Sequence, residues 1–181
     1  MNRAQLSKNA KGCLNAMLHQ PIISIDAPER EASANGFSLN NLSAIRFVMG
    51  DASTVFFSAI SVGLAEGLEV FVPDITESLD LRKYPGGPPT SWQSISQLAD
   101  KLNGTTIEEI RFLSAEWRPV PGIKGKAYYG NNPQYLVCDL TGGVGSYIVE
   151  DGLILLLDNI ELLISTMNTL PETLNLRYTS L

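Results

Sequence analysis

The chain has 181 residues, 44% of them hydrophobic and 18% charged, enough for one domain with a core and short for two. This balance excludes a disordered chain or a coiled coil, and no apolar run approaches the twenty residues of a membrane-spanning helix. Thirteen Lys and Arg against nineteen Asp and Glu leave a net charge of −6, which weighs against binding nucleic-acid phosphates.

Leu6, Ala10, Cys13, Leu14, Met17 and Leu18 recur at spacings of three and four. They predict an amphipathic helix over 3–19 that ends before Pro21. Arg3, Lys8 and Lys11 would suit the basic start of a secretion signal, but Asn15, His19 and Gln20 interrupt the apolar stretch, so no such signal is expected. Cys13 falls on the apolar face and reads as a buried, inert thiol. His19 reads as a group at the negative end of the helix dipole.

Pro28, Gly36 and several Asn and Ser make 26–43 a surface loop. Ile45–Met49 reads as a strand stopped by Gly50-Asp51. Thr54–Val62 is rich in β-branched and aromatic residues and reads as a strand, although Val55, Ala59 and Val62 would also fit a helical face. Ala65-Glu66-Gly67 followed by Leu68–Val72 reads as the turn and return strand of a hairpin, ended by Pro73. Tyr84–Pro89 reads as a rigid surface loop.

Trp92, Ile95, Leu98, Ala99 and Leu102 predict a helix over 91–102, closed by Asn103-Gly104. Thr106-x-x-Glu109 is a capping-box pattern for a helix over 106–117, with a strand from Glu109 to Trp117 as the alternative. The helical version gives Ser94–Arg111 a faint helix-turn-helix spacing, but Glu108 and Glu109 would then face DNA phosphates. Residues 119–133 read as a long loop carrying Lys124, Lys126, Tyr128 and Tyr129, and Gln134–Leu140 as a buried strand. Ser146–Val149 and Leu153–Leu157 flank Glu150-Asp151-Gly152, a hairpin signal. Asp158-x-x-Glu161 would cap a helix over 159–169 ended by Pro171. The expected fold is a single α+β domain over 1–181, with an antiparallel sheet and helices near both chain ends.

Cys13, His19 and Cys138 are too few and too scattered for a metal, thiol or histidine site. Thr141–Gly145 lacks the third glycine of a dinucleotide fingerprint and the Lys-Ser/Thr of a P-loop, and reads as a sheet connection. No cofactor is expected. Asn41-Leu42-Ser43 and Asn103-Gly104-Thr105 match the glycosylation acceptor pattern. The cysteines show no disulfide-scaffold spacing, so a cytoplasmic location is expected.

The charge is segregated. Phe47–Leu81 and Ala127–Leu176 each carry six acids and no base, whereas Arg82–Lys126 carries seven bases against four acids. Were the acidic stretches to pair, they would form a negative face. The residues marked for partner binding are Glu66, Glu69, Asp74, Glu77, Asp80, Glu150 and Asp151. The reading that follows is a cytoplasmic protein-binding module that masks a basic protein partner, as bacterial immunity proteins mask toxin domains, with neither nucleic acid nor membrane as a partner. The alternative is a small carboxylate-using enzyme or ligand-binding domain with the Tyr128-Tyr129 loop as a lid. A transcriptional regulator built on Ser94–Arg111 is a third. The oligomeric state is not legible.

Overall fold

A computed structural model describes residues 2–4, 6–32, 42–62, 65–71, 91–119, 126–129, 132–135, 147–166 and 173–181. In chain order its elements are β1 (Asn2–Ala4), α1 (Lys8–Met17), β2 (Ile22–Pro28), α2 (Glu29–Ala32), β3 (Ile45–Met49), β4 (Thr54–Val62), β5 (Ala65–Phe71) and β6 (Trp92–Ser94). There follow α3 (Ser96–Leu102), β7 (Ile107–Pro119), β8 (Lys126–Tyr129), β9 (Asn132–Tyr135), β10 (Tyr147–Leu157), β11 (Ile160–Thr166) and β12 (Leu174–Ser180). The chain is mostly β, so the expected α+β domain with helices near both ends is corrected.

The strands form two sheets. The smaller runs β5-β4-β3-β2-β6 and the larger β12-β11-β10-β7-β8-β9. Neighbours are antiparallel except β1, which lies parallel to β10 at Tyr147–Val149. Alternation along each strand sends one set of side chains inward. Ile45, Phe47 and Phe57 from the smaller sheet join Leu153, Leu155, Leu162, Ile164, Leu174 and Leu176 from the larger in one core. Leu14 and Met17 of α1 and Leu98 and Leu102 of α3 complete it. The Phe47 and Phe57 rings sit 5.1 Å apart, tilted by 59°. Burial of each such side chain stabilises by about 1.5–3 kcal/mol.

The amino-terminal helix is present but shorter than expected. The Ser7 side chain accepts a hydrogen bond from the Ala10 amide at 3.0 Å, so the helix opens at Lys8. The chain leaves α1 through His19, whose φ of 63° turns it left-handed and whose amide donates to Ile107 O at 2.8 Å. The first strand of the smaller sheet then runs into the predicted loop: Asp26, Ala27 and Pro28 belong to β2, and Glu29–Ala32 form a helical turn. Ile25 to Pro28 are all buried, so the strand lacks the alternation that would reveal it.

β3 and β4 match the predicted strands. β5 begins at Ala65, opposite Val62, so Ala65-Glu66-Gly67 is strand and not turn. Trp92–Ser94 pair with β2 as β6, which delays α3 to Ser96. The capping-box segment after Gly104 is strand from Ile107 onward, because β7 pairs with β10 along Ile107–Trp117.

β10 is one strand across Glu150-Asp151-Gly152, not a hairpin. Glu150 pairs with Ser114 and Gly152 with Leu113, leaving Asp151 as the extra residue of a β-bulge. The turn comes later, at Asp158-Asn159, where Leu157 pairs with Ile160 and Asp158 adopts a φ of 32°. Residues 160–166 are therefore β11, and the predicted helix over 159–169 is absent from them. Lys126–Tyr129 and Asn132–Tyr135 form a hairpin of strands, most of it within the predicted long loop; Gln134 and Tyr135 belong to the predicted strand, whose residues 136–140 lie outside the described residues. Pro73, Tyr84–Pro89, Cys138 and Thr141–Gly145 lie outside the described residues.

Candidate functional site

The sequence-predicted acidic residues that the structure describes fall on two strands, β5 and β10. Glu66 and Glu69 lie on β5 opposite Ser61 and Ser58, and Asp74, Glu77 and Asp80 lie outside the described residues. Glu150 is turned to internal work: its carboxylate accepts from the Leu6 amide at 2.6 Å and from Lys11 Nζ at 3.2 Å. Lys11 also sits 5.4 Å from the centre of the Phe112 ring, so this group fastens α1 to β10 and β7. Asp151 is buried, with an interaction partner.

A different set of carboxylates gathers on the larger sheet, on the face turned away from the core. Strand register defines two neighbouring rows across four strands: Arg111–Ile154–Leu163–Arg177 and Glu109–Leu156–Glu161–Thr179. Ile154, Leu156 and Leu163 are half-buried, while Glu109, Arg111 and Arg177 are exposed. Glu108 is the extra residue of a second irregularity, between the pairs Leu156–Glu109 and Leu157–Ile107, and is also exposed. Exposed Asp158 follows on the adjacent turn. This end of the larger sheet thus carries four carboxylates, two of them in the outward rows, and two guanidinium groups around a small apolar centre.

Arg111 donates to both Glu109 oxygens, at 2.9 and 3.1 Å. That hydrogen bonding, then the guanidinium charge, holds the Glu109 carboxyl below its ordinary value. The same bonds, with the charges of Glu109 and Glu161, raise Arg111. Glu161 thus acts electrostatically on the same face as the pair. Sequence reasoning missed this group because the capping-box patterns put Glu109 and Glu161 at the starts of two separate helices, whereas the register of β7, β10 and β11 brings them into one row. A strand reading of β7 would have exposed Glu109; the irregularity beside it has no sequence signal.

The outer side of the smaller sheet carries a second cluster. Arg46 donates to Asp26 Oδ2 through Nε at 2.8 Å and Nη2 at 2.6 Å, and its guanidinium lies 4.9 Å from the Trp92 ring centre. Phe56 meets Trp92 edge-on at 5.4 Å. This arrangement clamps β2, β3, β4 and β6 together. Its charges are paired with each other, and its role is structural.

Among the described residues no group of three or more His, Cys, Asp and Glu could hold a metal ion, and no helix is long and apolar enough to cross a membrane. Cys13 is a free, half-buried thiol packed against the core. The helix-turn-helix reading fails because its second helix is β7. Tyr128 and Tyr129, expected on a lid loop, are paired with Arg118 and Trp117 in the sheet. The fold and these clusters define a mostly-β protein of two sheets around a shared core. No known family, curated protein or solved structure matches the chain.

Proposed function

We propose that this chain is a protein-binding module that masks a basic protein partner, with the outer face of the larger sheet around the β10–β11 turn as its contact surface. The observation that carries the reading is the surplus of carboxylates there, Glu108, Glu109, Asp158 and Glu161 against Arg111 and Arg177, around Ile154, Leu156 and Leu163. Interfaces of this kind combine an apolar centre with a charged rim, and the rim speeds encounter with a surface of opposite sign. A sheet held in register on both sides presents such a surface without ordering cost on binding. A cytoplasmic location and a toxin-like basic partner belong to the same proposal. The acids of β5 and beyond, Glu66, Glu69, Asp74, Glu77 and Asp80, are a second arm of it.

The test has two stages. Proteins retained from the native cell at low salt are identified, and the purified pair is then measured by calorimetry over a salt series. A basic partner is expected, with affinity falling as salt rises. The combined variant Glu108→Lys and Asp158→Lys, both at exposed positions, should weaken binding at least about tenfold, while each exposed substitution changes stability by less than about 0.5 kcal/mol. An acidic partner, or an affinity unmoved by the variant and by a parallel Glu66→Lys, Glu69→Lys variant, refutes the proposal.

A further inference from the structure

Asn103-Gly104-Thr105, which closes α3 and leads into β7, is a chemically reactive sequence that this fold holds in an unreactive geometry. An Asn followed by Gly can cyclise: the Gly backbone nitrogen attacks the Asn side-chain Cγ, the C–N bond to the side-chain amide breaks, and ammonia leaves. Water then opens the resulting succinimide to aspartate or isoaspartate. The attack needs a free Gly N–H and a backbone that swings that nitrogen toward the Asn side chain, which requires a negative ψ.

Neither condition holds here. Asn103 has a ψ of 122°, which turns the Gly104 nitrogen away from the side chain. The Gly104 amide donates to Ile22 O at 2.7 Å. Gly104 sits at a φ of +80°, which glycine adopts freely and other residues resist. The turn is held further by Thr105, whose amide and Oγ1 both donate to Leu102 O, at 3.0 and 2.7 Å. Both Asn103 and Gly104 are nonetheless exposed to water, so the water needed for the second step is at hand.

We infer that Asn103 is a latent deamidation site, kept intact while Gly104 is bonded to Ile22 and converted when this joint between α3 and β2 opens. Conversion is one-way. Isoaspartate inserts an extra methylene into the backbone just before Gly104, so the bond to Ile22 O cannot re-form as it was. The modification would therefore mark chains that have opened at this joint, and it adds a negative charge at the end of α3.

The full-length chain is incubated in mildly alkaline buffer, native and in urea, and followed by peptide mapping with mass spectrometry. Mapping separates Asn103 from Asn35-Gly36, the other Asn-Gly pair of the chain. Deamidation at Asn103 should be at least about tenfold slower in the native protein than in urea, as expected where reaction waits on local opening. Thr105→Ala removes one hydrogen bond of the turn, worth about 1 kcal/mol, and should speed the native reaction about fivefold. Thr105→Ser, which keeps the hydroxyl, should restore the slow rate. Equal native and urea rates, or a folded Thr105→Ala protein with the original rate, would overturn the inference.

Discussion

Replacing Gly152 by Ala should destabilise the protein, although the same exchange usually helps a folded chain. Gly152 follows the bulge in β10 and lies between two paired strands, opposite Leu113 of β7 and Ser165 of β11. A Cβ there would stand 2.8 Å from Ile164 O, 3.1 Å from Ser165 Cβ and 3.2 Å from Ser165 Cα. These are backbone or near-backbone atoms of a strand anchored by β12 on its far side, so none can swing away. Overpacking of this kind costs about 1–3 kcal/mol. Against it stands a gain of about 0.4–1 kcal/mol from the less flexible unfolded chain. The clash wins, leaving a net loss of about 1 kcal/mol, or a fall of about half a molar in the urea midpoint at a typical slope. Gly12→Ala is the matched control. It lies within α1, its Cβ would meet nothing within 4 Å, and it should stabilise by about 0.5–1 kcal/mol. Urea titrations followed by circular dichroism measure both, and the two midpoints should move in opposite directions. If Gly152→Ala raises the midpoint as Gly12→Ala does, the register drawn for β10 and β11 is wrong.

Arg46→Met leaves the Asp26 carboxylate, with its side chain 6% exposed, without its partner, and should cost about 3 kcal/mol; adding Asp26→Asn should recover much of that loss in the same urea titration. Glu150→Ala removes the acceptor of the Leu6 amide and should cost about 1–3 kcal/mol. Hydrogen exchange should then find that amide unprotected, whereas retained protection would mean that β10 does not anchor the start of α1. Glu109 should titrate below its ordinary 4.5 because of its bonds to Arg111. With the folded value depressed, whatever stability the pair brings is present above 4.5 and is lost as the pH falls through the depressed value. Carboxyl NMR titration checks this, and Arg111→Gln should return Glu109 to the ordinary range.

The elements that sequence reasoning recovered are those whose signals are local. The three-and-four spacing of Ala10, Leu14 and Met17, the apolar run Ile45–Met49 with its Gly50-Asp51 stop, and the β-branched and aromatic stretch 54–62 each act within a few residues. Asn103-Gly104 likewise closes α3 through its own backbone freedom. Tertiary structure decided the rest. Thr106-x-x-Glu109 and Asp158-x-x-Glu161 are sound helix starts as isolated peptides, yet both segments became strands because each lies beside β10 and completes a sheet whose inward face is core. A short run such as Ile160–Ile164 can bury its side chains as helix or strand, and only the neighbour available for hydrogen bonding chooses. Asp151-Gly152 shows the same division: its residues suit a turn, but pairing of Glu150 and Gly152 with successive residues of β7 makes it a bulge. The charge runs were legible as composition alone. Which carboxylates reach water depends on strand register and bulges: Glu150 is bound to Lys11 and the Leu6 amide, while Glu108 and Glu109 are exposed side by side.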